Sequence, residues 1–220
     1  PILRRAFKVA SDAPRGPVFV SLPIDAMEQE TSVDAAVPDR LWRASAPDPK
    51  GVADIAAALL KSQNPVVVTG DDVARSGATD ALVSLVEQVG ASVWCEGLRH
   101  HASFPTGHPN FRASLPGDAA QIRKAFADAD LVLLLGVPFF EDIWYAEGGH
   151  FPQGATVVQI EEAPDRLALN HRLDAGLVGD LAASLAALGD AVRSGAPPEF
   201  QTAAQRRNAA HAEYRARDKE

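Results

Sequence analysis

The sequence holds a single cysteine, Cys95, no apolar run long enough to cross a bilayer, and no excess of positive charge. One thiol excludes an internal disulfide and is the usage expected of a reducing, cytoplasmic setting. The longest apolar run, Leu131 to Val137, falls far short of the roughly 20 residues a spanning helix needs, so no membrane partner is expected. The opening stretch PILRRAFKVA leads into no small-residue cleavage site and resembles a surface helix more than a signal peptide. Formal net charge is −8, with basic residues scattered except in the C-terminal tail; this disfavours nucleic acid, whose binders present a basic face. Internal repeats and low-complexity segments are also lacking. What is present is ordinary for a globular protein: 220 residues, 46% hydrophobic and 23% charged, enough for one large domain or one domain and part of another.

Along the chain the pattern changes twice. Ile2, Leu3, Ala6, Phe7 and Ala10 share one helical face, and Gly16-Pro17 then opens Val18 to Leu22, which reads as a strand buried on both faces. Residues 25–50 show no period and hold Pro38, Pro47 and Pro49, as a linker does, so a domain boundary is placed within 26–47. From residue 48 the pattern is regular. Asp48 can cap a helix with Pro49 at its first position, where the missing N–H costs nothing. Apolar strands are expected at 65–70, 91–95, 130–138 and 156–162, with a short one near 175–178. Amphipathic helices intervene, with Asp118 and Asp180 as further caps. Continuous apolar strands alternating with helices imply a doubly wound α/β domain, a parallel sheet with helices on both faces, over 48–195. Residues 196–220 read as a linker helix whose Arg206, Arg207, Arg215 and Arg217 form a solvated face.

Such a sheet binds ligands outside the carboxyl ends of its strands, which makes Gly70, Gly136 and Glu161 the sheet-end candidates. The glycine-rich phosphate fingerprint is absent after the first strand, where Asp71 and Asp72 stand instead; a solvated turn is expected there. Glu161 and Glu162 could hold ribose hydroxyls or serve as helix caps. His100, His101 and His108 follow Cys95 closely, but their spacing matches no zinc pattern, and a strand cysteine is most often an inert small hydrophobe. Neither a metal site nor a catalytic residue is assigned. Two loops, FPTGHPNFRASLPG and GVPFFEDIWYAEGGHFP, carry aromatic residues. In the second, Phe139, Phe140, Trp144 and Tyr145 are candidates for lining an active site or an interface.

GPVFVSLPIDAMEQE, NPVVVTGDDV, FPTGHPNFRASLPG and LVLLLGVPFF occur in the order and spacing of thiamine diphosphate-dependent enzymes. The sequence resembles the acetolactate synthase and benzoylformate decarboxylase group over nearly its whole length. The resemblance implies a parent enzyme with three domains, binding thiamine diphosphate and Mg2+ and acting on a 2-oxo acid as a homo-oligomeric dimer or tetramer. Residues 1–25 would then end the pyrimidine-binding domain, residues 48–195 would form the Rossmann-like central domain, and 196–220 would lead toward the diphosphate-binding domain. The family's metal-binding Gly-Asp-Gly motif does not occur in these residues. The chain is therefore expected to be a fragment that is inactive alone and does not itself bind the cofactor. Asp71-Asp72 replace the glycine-rich turn of the flavin-binding synthases, so FAD is not expected. Ile143 stands where benzoylformate decarboxylases place a histidine, and Ala113 where the family usually has glycine. Two other classes stay open: a stand-alone module binding FAD, NAD or ADP, and a non-catalytic interaction domain.

Overall fold

The computed structural model describes residues 2–12, 15–32, 44–136, 140 and 147–217. The chain divides into two units, residues 1–43 and 44–220. In the first, α1 (Ile2–Ser11) and the single turn α2 (Ile24–Met27) bury no residue. The expected strand at 18–22 is not formed. Residues 15–23 enter no ladder, and Phe19 is 91% exposed. An apolar run specifies a strand only where a neighbouring strand accepts its hydrogen bonds.

The second unit begins at α3 (Pro49–Lys61), where the Asp48 side chain accepts from the backbone N–H groups of Lys50 and Gly51. Six strands and five further helices follow: β1 (Pro65–Thr69), α4 (Asp71–Arg75), α5 (Thr79–Val89), β2 (Ser92–Cys95), β3 (Phe111–Ser114), α6 (Ala119–Ala125), β4 (Leu131–Leu135), β5 (Thr156–Glu161), β6 (Ala175–Val178), α7 (Leu181–Gly195) and α8 (Pro198–Arg217). Asp118 and Asp180 cap α6 and α7 through their carboxylates, as expected of both.

All strand pairs are parallel, in the order β3-β2-β1-β4-β5-β6. The alternation along each strand sorts side chains between two layers. Val67, Leu133, Leu135, Val158 and Ile160 face a core with the apolar stripes of α3, α5 and α7. Val66, Val68, Val132, Leu134 and Val157 face Ile122 and Phe126 on the other side. Burying a Leu or Ile side chain in either layer contributes about 1.5–3 kcal/mol. The chain order reverses between β1 and β4, and the carboxyl edge at such a switch point is where sheets of this kind bind ligands.

The arginine face of α8, expected to be solvated, is partly packed against the domain. Phe200 and Ala204 are buried, and Arg207 donates from Nε and Nη2 to the Val89 carbonyl at 3.1 and 2.7 Å. Arg215 donates to the Thr106 carbonyl at 2.7 Å, while Arg206 and Arg217 are exposed. Gly90 makes the approach possible. It ends α5 at φ +63°, and a Cβ there would lie 2.7 Å from the Ala204 carbonyl oxygen.

Candidate functional site

The switch point is knit from short backbone links. Gly70 donates to the Leu135 carbonyl at 2.9 Å, Gly136 to the Ile160 carbonyl at 3.2 Å, and Asp72 to the Gly136 carbonyl at 3.1 Å. Gly70, Gly136 and Glu161, the three sheet-end candidates, thus stand side by side at the ends of β1, β4 and β5. Gly136 has φ +64°, and a Cβ there would sit 2.7 Å from Leu181 Cδ1 and 3.0 Å from Asp72 Cβ, so only glycine fits.

Asp71 and Asp72 do not form the solvated turn expected of them. Asp71 is 4% exposed, and its two oxygens accept the backbone N–H groups of His100 and His101 at 2.9–3.0 Å. Arg75 Nη2 lies 3.3 Å away, and the Nδ1 atoms of both histidines lie at 3.4 Å. Burial alone would push this carboxyl up. The donations from His101 and His100, together with Arg75, outweigh it and hold the pKa below the ordinary aspartate value. Asp72 is bracketed by Arg75 at 3.0 Å and by Arg166 at 2.7 Å, the latter from the 3-10 turn Pro164–Arg166 after β5.

Glu161 is fully buried, and Gln159 Nε2 donates to it at 3.1 Å. Glu162 accepts the N–H of Leu181 at 3.4 Å and so serves the first turn of α7. A ribose hydroxyl at this edge would meet side chains already engaged within the protein. Cys95 is buried with its thiol pushed up, chiefly by burial, as an inert core thiol would be. His108 lies apart from the other two histidines, 3.3 Å from Glu87 and edge-on to Phe104. Among the described residues no cluster of His, Cys, Asp or Glu has metal-ligand geometry.

Of the aromatic candidates, Phe139, Trp144 and Tyr145 lie outside the described residues, as does Ile143. Phe140 is 6% exposed and turned into the core, stacked on His150 at 4.4 Å and edge-on to Phe151 and His171. Arg166, His150 and His171 escaped the sequence reading. Arg166 meets Asp72 across a long separation, and the two histidines gather on Phe140 from irregular loops, where no local period marks them.

A parallel sheet in this order, with helices packed on both faces, defines a doubly wound α/β domain. Within that class the assignment is specific. Residues 52–188 match the family model described as thiamine pyrophosphate enzyme, central domain, and the chain belongs to that family. It is 35% identical over 198 residues to benzoylformate decarboxylase of Pseudomonas aeruginosa, covering 89% of this chain and 37% of that protein. It is 32% identical over 210 residues to sulfoacetaldehyde acetyltransferase of Rhodobacter capsulatus, covering 93% and 34%. The crystal structure of benzoylformate decarboxylase from Polynucleobacter necessarius superposes with a TM-score of 0.76 at 29% identity, over 87% of this chain and 36% of that one. The chain thus spans about a third of the length of the curated relatives it matches.

The edge residues do not suit the diphosphate of the family's cofactor. Asp71 and Asp72 would repel an anion, and Arg75 and Arg166 are already paired with them.

Proposed function

We propose that these residues are the central domain of a thiamine diphosphate-dependent lyase or synthase acting on a 2-oxo acid, and that their role is to support the active site without performing its chemistry. In that family the cofactor supplies the carbanion chemistry at the keto carbon, and the protein binds and orients. The observation that carries the reading is the match of residues 52–188 to the family's central domain, the stretch that also builds the sheet. The ion-paired carboxyl edge supports the second half. Asp71 accepts backbone N–H groups, Asp72 binds two arginines, and Glu161 is sealed beneath them. The same edge speaks against FAD and against a stand-alone nucleotide module, because both need a diphosphate beside the β1 turn.

Two assays test the proposal. The product of the whole reading frame that contains these residues should release carbon dioxide from benzoylformate, pyruvate or another 2-oxo acid, with strict dependence on thiamine diphosphate and Mg2+. The 220-residue chain should release none under the same conditions. Turnover by the short chain would overturn the scaffold role, and a whole product inert toward every 2-oxo acid would overturn the substrate class.

A further inference from the structure

The opposite, amino edge of the sheet holds a cavity of about 330 Å³ between α8, the start of β1 and β2, and the end of α6. That is within the range of about 300–1,000 Å³ typical of small-molecule sites. Arg112, Lys124 and Arg207 line it against one carboxylate, Asp128, in a chain whose net charge is −8. Trp94 and Phe126 give it an aromatic wall, packed edge to face with centroids 6.2 Å apart.

The cations differ in what they can offer. Arg207 spends three of its five N–H groups, Nε and Nη2 on the Val89 carbonyl and Nη1 on the Gln63 carbonyl at 3.3 Å, so it adds charge and few free donors. Arg112 lies over the Tyr214 ring at 4.2 Å, which fixes the plane of its guanidinium, and it donates to His211 Nδ1. Lys124 is exposed and forms no ion pair among the described residues.

His211 also lines the cavity. Its Nε2 donates to the Gly90 carbonyl at 3.1 Å, and its Nδ1 accepts from Arg112, which is the neutral tautomer. Burial and then the positive charge of Arg112 lower its pKa to about 4, with Arg207 adding to the effect against the Gly90 bond. Burial first, and the two arginines second, keep His211 neutral, so it brings hydrogen bonds to the cavity wall and no charge.

We propose that this cavity binds a small organic carboxylate with an apolar ring, its charge met by Lys124 and Arg112 in the field of Arg207, and its ring by Trp94 and Phe126. The cavity runs from Asn64, Pro65 and Ser92 up to Trp94, level with Val68, and shares no lining residue with the switch point at Gly70, Gly136 and Glu161.

The test is titration of the 220-residue chain with benzoate, the simplest aromatic carboxylate. Binding is followed by calorimetry and by the Trp94 indole N–H resonance, assigned with Trp94→Phe. Saturable binding with a Kd of about 1 mM is expected, together with a shift of the Trp94 signal. Lys124→Ala should weaken it about fivefold and Arg112→Gln about tenfold, each with an otherwise unchanged amide spectrum. Benzyl alcohol, the uncharged counterpart, should not saturate, and inorganic phosphate should bind at least about fivefold more weakly than benzoate. Absence of saturation by benzoate at about 20 mM would overturn the site. So would equal binding by Lys124→Ala and the parent chain, or by benzyl alcohol and benzoate. Phosphate binding as tightly as benzoate would overturn the assignment of the ring.

Discussion

The two edges of one sheet treat charge in opposite ways. At the carboxyl edge acidic side chains are drawn inward and matched: Asp71 by backbone N–H groups, Asp72 by Arg75 and Arg166, Glu161 by Gln159. At the amino edge three cations face a cavity with a single carboxylate, Asp128, on its wall among the described residues. The rule that doubly wound sheets bind at their carboxyl ends describes where backbone geometry leaves room. Side chains decide whether that room is used, and here the acidic ones are engaged within the protein.

The most damaging way to break the carboxyl edge is at Gly136. Gly136→Val forces a β-branched residue to φ +64° and drives its Cβ into Leu181 and Asp72. A loss of about 4 kcal/mol in urea denaturation is expected, against near-parent stability if the turn can relax. Asp71→Ala comes next, since it strands the N–H groups of His100 and His101. About 2–3 kcal/mol should be lost, with faster hydrogen exchange confined to residues around 100 and 101.

The pH dependence separates the two edges. Asp71 is folded with a depressed pKa, so the unfolded chain binds its proton more readily. Its contribution is present above the unfolded aspartate value near 3.9 and is lost as pH falls through the lower folded one. His211 acts at higher pH. Its folded value of about 4 lies below the ordinary histidine value of about 6.5, so its share is complete above about 6.5 and fades as pH drops toward 4. Replacing His211 with Gln should flatten the stability profile between those values by on the order of 1–2 kcal/mol, and leave the more acidic limb unchanged. The smallest effect is expected in the first unit. Phe19→Ser, at a site 91% exposed, should change the stability of this chain by less than about 0.5 kcal/mol.

Much of this was legible in the residues. Val66 to Val68 and Leu131 to Leu135 could be nothing but strands buried on both faces, and Asp48, Asp118 and Asp180 announced helix starts through their short carboxylates. Failures had particular causes. Val18 to Leu22 has the composition of a strand, but composition cannot supply the neighbour whose ladder makes one. Phe111–Ser114 is a four-residue edge strand with polar positions, so its segment read as loop. The arginines of α8 looked solvated because their partners, Val89 and Thr106, lie more than a hundred residues away. The same distance hid Arg166 from Asp72 and left the closure of the carboxyl edge unread.

That closure is most directly probed by isothermal titration of the 220-residue chain with ADP, NAD and FAD in turn. An edge whose carboxylates are matched from within should give no saturable heat with any of the three at concentrations up to about 1 mM. Micromolar binding of any one of them, weakened by Arg166→Ala, would mean that the crevice opens to a nucleotide after all.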